Sequence, residues 1–188
     1  MLPVPNLIVI TSFIILGIGF LLAALKLVKS EESLWGNPSV HPLLFYAGKI
    51  SMFLCWALML LDAIFPSMII IHTPSWMPWT GSLSFCAGVV VLLVSFHNLG
   101  NSLKYGLPES GTLLKTTGLY RISRHPLYMG VFLTLISAVI FFPNILIILL
   151  AGVCIGAHYP MILAEERFLA ERFGQEWESY KNRVRRFL

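Results

Sequence analysis

Charge is what this sequence lacks. Only 12% of its 188 residues are Asp, Glu, Lys or Arg, and 57% are apolar. Soluble domains carry roughly a quarter charged and about half apolar residues. The deficit excludes an ordinary soluble globule and points to a polytopic membrane protein. The length suits one compact bundle, so a single domain over residues 1–188 is expected. Cysteine is scarce as well. Cys55, Cys86 and Cys154 stand singly in apolar segments with no C-x-x-C, which excludes a disulfide framework and leaves them as small core residues. His41, His72, His97, His125 and His158 show no metal-ligand spacing, so no metal is expected. No glycosylation acceptor occurs, because Pro38 spoils Asn37-Pro38-Ser39. No G-x-G-x-x-G opens a βαβ unit, since Gly17-Ile18-Gly19 lies inside an apolar run, and that excludes a soluble dinucleotide-type fold. No basic stretch precedes that run, which is too long for a signal peptide and is expected to be a first span.

Long apolar stretches are what the sequence has instead. Val4 to Leu25, Leu43 to Ile71 and Thr80 to Phe96 each suit one crossing at roughly 20 residues. The second is long enough to imply tilt or an interfacial end. Leu127 to Leu163 is too long for one helix and is broken at Phe142-Pro143-Asn144, a turn signal. Two helices in a tight hairpin are expected, over 127–141 and 145–164, the first of them short. The fold class is therefore an all-α polytopic membrane bundle with five transmembrane helices. Residues 1–96 hold three spans, 97–126 a loop, 127–164 the hairpin and 165–188 a tail. In the tail, Leu169, Phe173, Trp177, Tyr180 and Val184 recur every three to four residues among charges. That spacing predicts an amphipathic helix at the membrane surface, bent at Gly174, serving as an anchor or a lid.

Charge placement supports this count. With five spans, all 13 Lys and Arg residues fall in 26–49, 97–126 and 164–188, on one side. The opposite side receives none. The positive-inside rule then places the N-terminus outside and the C-terminus in the cytoplasm. Trp76 and Trp79 fall on the uncharged side, at belt level. Asp62 is the one carboxylate well inside a span. It either hydrogen-bonds a neighbouring helix or lies near the outer end. The basic tail suits anionic lipid rather than nucleic acid.

The densest polar sequence is cytoplasmic. It runs through His97-Asn98-Leu99-Gly100-Asn101-Ser102, then Lys104-Tyr105, the loop 111–128 and Glu165-Glu166. Pro126 suits the first turn of a helix, whose free N–H groups favour an anion. Tyr128 follows His125 by three, so both can share a face, as an interfacial cap or as part of a site. Adjacent Glu165 and Glu166 diverge by about 100° on a helix. Glu165 lies seven residues after His158 and is expected to face inward, while Glu166 pairs with a nearby Lys or Arg. Carboxylate, imidazole, phenol and helix N-terminus together suit a zwitterionic, partly aromatic cofactor such as S-adenosylmethionine. Carboxylates would take its ammonium, N–H donors its carboxylate, and aromatic faces its sulfonium.

The ordered run Gly118-Leu119-Tyr120-Arg121-Ile122-Ser123-Arg124-His125-Pro126-Leu127-Tyr128, the hairpin, Glu165-Glu166-Arg167-Phe168 and Phe173-Gly174-Gln175-Glu176-Trp177-Glu178-Ser179-Tyr180 resembles the isoprenylcysteine carboxyl methyltransferase and phospholipid methyltransferase superfamily. The likeness covers about residues 95–188. It implies an integral membrane enzyme that uses S-adenosylmethionine. It also implies a cofactor pocket lined by Tyr120, His125, Pro126, Tyr128 and Glu165, with Thr112, Leu113, Leu114 and Lys115 as a further contact segment. The cofactor would arrive from the cytoplasm and a lipophilic or prenylated acceptor laterally, between helices. Glu165 and Arg124 are the candidates for taking part in the chemistry. Prenylcysteine enzymes carry an arginine one turn before the glutamate pair, where it engages the acceptor; this chain has Met161 there, with Arg124 or Lys104 as substitutes. A prenylcysteine carboxylate, a phospholipid amine and a thiol all stay open as acceptors. Two other classes stay open with them: an NADPH-dependent lipid reductase, and a membrane scaffold in which the polar clusters merely cap helices.

Overall fold

The computed structural model describes residues 2–29, 37–66, 73–103, 106 and 113–188, without the side chains of 27–29 and 101. These form six α-helices: α1 Val4–Lys29, α2 Pro42–Ile64, α3 Trp76–Leu99, α4 Pro126–Phe141, α5 Ile145–Phe173 and α6 Gln175–Arg183. Helices α1, α2, α3 and α5 are long and apolar enough to cross a membrane. The fifth expected span, α4, has 16 residues. At 1.5 Å per residue that is about 24 Å, short of a hydrocarbon core of about 30 Å. Only Ile136 in α4 is well exposed, and α4 packs along α3 and touches α5 and α2.

Local chemistry sets the ends. His41 caps α2 by accepting the Leu43 N–H at Nδ1, with Pro42 in the first turn. Helix α2 stops at Ile64, earlier than the apolar run suggests, because Pro66 biases Phe65 away from helical geometry. Asp62 therefore lies in the last turn of α2, half-buried. The stretch 67–71 of the expected span lies outside the described residues. The break between α4 and α5 falls at Phe142–Asn144, where Pro143 predicts a turn. Asn144 accepts the Leu146 N–H at 2.8 Å and starts α5. Helix α5 does not end at 164 but runs on to Phe173, so Glu165 and Glu166 are carried on a continuous helix.

Small residues decide how closely α3 and α4 meet. A Cβ on Gly88 would come 2.7 Å from the Thr134 methyl, and one on Gly130 would come 2.8 Å from Leu92. Apolar side chains gain nothing from leaving lipid, so close backbone approach is a main source of helix association there. Polar groups inside the bundle are satisfied across helices. Trp56 Nε1 donates to Thr134 Oγ1 at 3.1 Å, and Asn6 Nδ2 to the Ala63 carbonyl at 3.0 Å. The outward faces of α1 and α2 expose Ile14, Ile18, Leu21, Phe53 and Leu61 at helical spacing, as lipid contact requires. Trp76 and Trp79, at the start of α3, are exposed.

Candidate functional site

The site forms where the 117–125 loop, the starts of α2 and α4, the end of α5 and the tail converge. Gly118 adopts φ +61° and opens a single 3-10 turn, Gly118–Arg121. Its position is fixed by Asn98 Oδ1, which accepts the Leu119 N–H at 2.9 Å. A Cβ on Gly118 would collide with that same amide. The turn buries Tyr120. Burial, and next the negative charge of Glu165, push the Tyr120 phenol well above its ordinary range. Ser123 Oγ then accepts the His125 N–H at 3.1 Å, and Pro126 opens α4.

The tail closes this loop from below. Gly174 takes φ +49°, a region favourable to glycine, and turns the chain into α6. Trp177 and Tyr180 are then buried against the protein. Tyr180 donates its hydroxyl to the Tyr120 carbonyl at 2.7 Å, and burial lifts its phenol to about 12. The Arg124 N–H bonds the Arg185 carbonyl at 2.9 Å, and Ser123 Oγ donates to the Arg186 carbonyl at 3.0 Å. The apolar stripe expected to lie on the membrane thus packs, at Trp177 and Tyr180, on the protein itself.

The two glutamates separate as their helical divergence requires. Glu166 is buried and gathers cationic groups. Arg124 reaches its Oε1 through Nε at 3.1 Å and Nη2 at 2.9 Å. Arg186 reaches Oε2 through Nη2 at 2.7 Å, and His125 Nε2 lies 3.2 Å from Oε1. The pairing of Glu166 with a basic residue is thus observed. Arg124 also donates from Nη1 to the carbonyls of Lys181 and Val184, at 3.0 Å each, and lies over the Trp177 ring. Those contacts make Arg124 a brace between α5 and α6 at the cavity wall. Glu165 is more exposed and lies 3.9 Å from His125 Nδ1. Tyr128 borders the same cavity as Glu165. The rings of His125, Tyr128 and His158 follow one another edge to face at 5.7 Å spacing.

Glu165, Arg124 and the rings of His125, Tyr128 and His158 line one cavity, on which Glu166 and Arg186 do not border. Of the residues singled out in sequence, Leu113, Leu114, Lys115, Tyr120, Arg124, His125, Tyr128 and Glu165 border it. Pro126 is buried as the first residue of α4 and does not line it, while Thr112 and Lys104 lie outside the described residues. Trp177 and Tyr180 close it from the tail, and Met52, Trp56, Leu92 and Val131 continue it into the bundle. Two contributors were not evident in sequence. Arg186 is 20 residues from Glu166, with no periodicity to connect them. Lys49 reads as a loop charge in sequence, yet it sits in the second turn of α2 and lines the cavity. Among the described residues, no three His, Cys, Asp or Glu side chains gather as a metal-binding group.

Residues 76–176 match the phospholipid methyltransferase family, more than half of the chain. The chain is 31% identical over 108 residues to the protein-S-isoprenylcysteine O-methyltransferase of Saccharomyces cerevisiae. It is 27% identical over 110 residues to the protein of that name in Dictyostelium discoideum. Those alignments cover 55% and 56% of this chain. They cover 45% and 46% of the two relatives, so the likeness reaches just under half the length of either.

Proposed function

Because the chain belongs to the phospholipid methyltransferase family, we propose that it transfers a methyl group from S-adenosylmethionine to a lipid or lipidated acceptor at the cytoplasmic membrane face. The closest activity is carboxyl O-methylation of an isoprenylated cysteine, as the names of both relatives suggest. The carrying observation is the single cavity that joins a polar mouth, with Tyr120, His125, Tyr128 and Glu165, to an apolar depth between helices. In this reading the whole chain is one domain of five spans, with α4 the short, shielded one. The N-terminus is outside, and the loop, the site and the tail are cytoplasmic, consistent with the one-sided Lys and Arg.

The donor set fits the cofactor. Glu165 has an exposed oxygen face for an ammonium group or ribose hydroxyl. The first turn of α4, opened by Pro126, directs N–H groups at an anion. Tyr128, Tyr120 and Trp177 offer ring faces to a sulfonium and an adenine. Leu113, Leu114 and Lys115 would close over the nucleoside, with Thr112 beside them. S-adenosylmethionine supplies a methyl group already activated on sulfur, so the protein's work is alignment and exclusion of water. His125 is held between the glutamates and keeps the first turn of α4 in register with α5. Arg124 and Glu166 would position that frame.

The test is calorimetric titration of the purified protein in lipid nanodiscs. Wild type is expected to bind S-adenosylmethionine and not NADPH, and His125→Ala or Glu165→Gln to weaken binding at least tenfold. Equal affinity in all three proteins would sink the assignment of these residues, and binding of NADPH alone would favour a reductase.

A further inference from the structure

The cavity stops inside the bundle at a definite level. Phe45 is the first residue of α2 to line it and Trp56 the last. They stand 11 residues apart, which is about 17 Å along the helix at 1.5 Å per residue. On α3 the lining residue farthest from the polar mouth is Leu92, and on α4 it is Val131. One turn beyond these three, Met59, Val89 and Leu135 are buried in the core, and none of them borders the cavity. The apolar depth is therefore a blind end backed by close-packed side chains.

Trp56 crosses that end as a bar. It belongs to α2, yet its Nε1 donates to Thr134 Oγ1 of α4 at 3.1 Å. Thr134 is fully buried, and its hydroxyl donates to the Val131 carbonyl at 2.8 Å. With the hydroxyl proton directed there, an oxygen lone pair is left for the indole. Helix α3 fixes the same side chain, since a Cβ on Gly88 would come 2.7 Å from the Thr134 methyl. Phe13 and Phe53 meet the indole edge to face, with centroids 6.4 and 6.0 Å away. An indole N–H is costly to leave unbonded among apolar groups, so the ring keeps this one orientation.

We propose that Trp56, locked by Thr134, is the stop that sets how long a lipid tail the site accepts. This rests on the methyltransferase reading, with the acceptor's head at the polar mouth and a single-chain tail in the apolar depth. The head must stay where the methyl group is delivered, so the tail cannot slide outward to relieve a poor fit. A tail that just reaches the indole buries all of its length. A longer one must displace packed core or leave carbons unburied, and each methylene left out forfeits about fourfold in affinity. Trp56 touches no reacting atom; it determines specificity by length, and Thr134 positions it.

The experiment measures methyl transfer from labelled S-adenosylmethionine to N-acetyl-S-farnesylcysteine and N-acetyl-S-geranylgeranylcysteine by nanodisc-embedded protein, and titrates the donor on the same samples. Trp56→Ala should raise kcat/KM for the geranylgeranyl compound at least tenfold, both absolutely and relative to the farnesyl one. The gain should come through KM, with donor affinity unchanged. Thr134→Val should shift the ratio the same way by a smaller factor, and Thr134→Ser, which keeps the accepting oxygen, should hold the wild-type ratio. No gain in Trp56→Ala, or a gain carried by kcat alone, overturns the proposal. Donor binding with methylation of neither compound also overturns it and leaves the donor assignment standing. If Trp56→Ala binds no donor, Trp56→Leu is judged by the same ratio. A wild type that binds no S-adenosylmethionine overturns the parent reading, and this proposal with it.

Discussion

Replacing Glu166 and replacing Glu165 should have opposite kinds of consequence, although the residues are adjacent. Glu166→Gln keeps the shape and removes the charge. The side chains of Glu166 and Arg124 are only 10% and 9% exposed, so this is a buried ion pair rather than a surface one. Breaking such a pair by altering one partner costs about 3–5 kcal/mol, because the other charge is left in a poor dielectric. The Gln amide adds an injury of its own. Its N–H₂ must face either Arg186 Nη2 or the Arg124 and His125 donors, all of which donate. Partial solvation of Arg186, at 33% side-chain exposure, favours the lower end of the range. A loss of about 3 kcal/mol lowers the midpoint of a domain this size by roughly 6–12 °C. The tail should fail first, since Arg124 braces α6 through the Lys181 and Val184 carbonyls. The assay is intrinsic-fluorescence melting in nanodiscs, with limited proteolysis reporting cuts after Gly174. Glu165→Gln, on a more exposed carboxylate, should shift the midpoint by about 2 °C or less, as surface changes do, while weakening S-adenosylmethionine binding. An equal loss of midpoint in both variants would refute the division of labour between them.

The remaining predictions are compact. Tyr180→Phe leaves the Tyr120 carbonyl without its donor and should cost about 1–3 kcal/mol, read by the same melting assay. The Tyr180 phenol is raised to about 12 by burial, so the folded state holds that proton more tightly than the unfolded chain, whose value is near 10. Stability from this group is full below about pH 10 and declines between about pH 10 and 12. Tyr180→Phe should flatten part of that decline. Gly88→Leu places a side chain where a Cβ alone comes 2.7 Å from the Thr134 methyl. It should separate α3 from α4, lowering the midpoint by several degrees with loss of the Trp56–Thr134 hydrogen bond, whereas Gly17→Leu, where a Cβ meets nothing within 4 Å, should be neutral.

Much of the architecture was legible in sequence, for identifiable reasons. Apolar runs near 20 residues must be helical in lipid, where backbone groups find no water. Pro143 and Asn144 broke the long run at the observed gap between α4 and α5, and Pro126 began α4 as its fixed φ dictates. Overreach came where hydropathy continued past a backbone signal. The run to Ile71 hid the stop that Pro66 imposes on α2. The run ending near 164 hid the continuation of α5 to Phe173, which the polar tail sequence masked.

The sequence by itself determined the membrane character, the break between α4 and α5 and the loop–helix junction at His125–Pro126, because composition, proline and periodicity act locally. The tertiary structure alone decided which charges are partners. Arg186 reaches Glu166 only because Gly174 turns the tail back under the bundle. Arg124, a candidate for chemistry in sequence, also braces α6, since its donors meet Glu166 and two tail carbonyls. Lys49 changes from a loop charge to a cavity wall because α2 packs against α5, with Gly48 permitting close approach to Ala157. A residue's chemistry depends on the groups that surround it, and groups distant in sequence are brought together only by the packing of the helices.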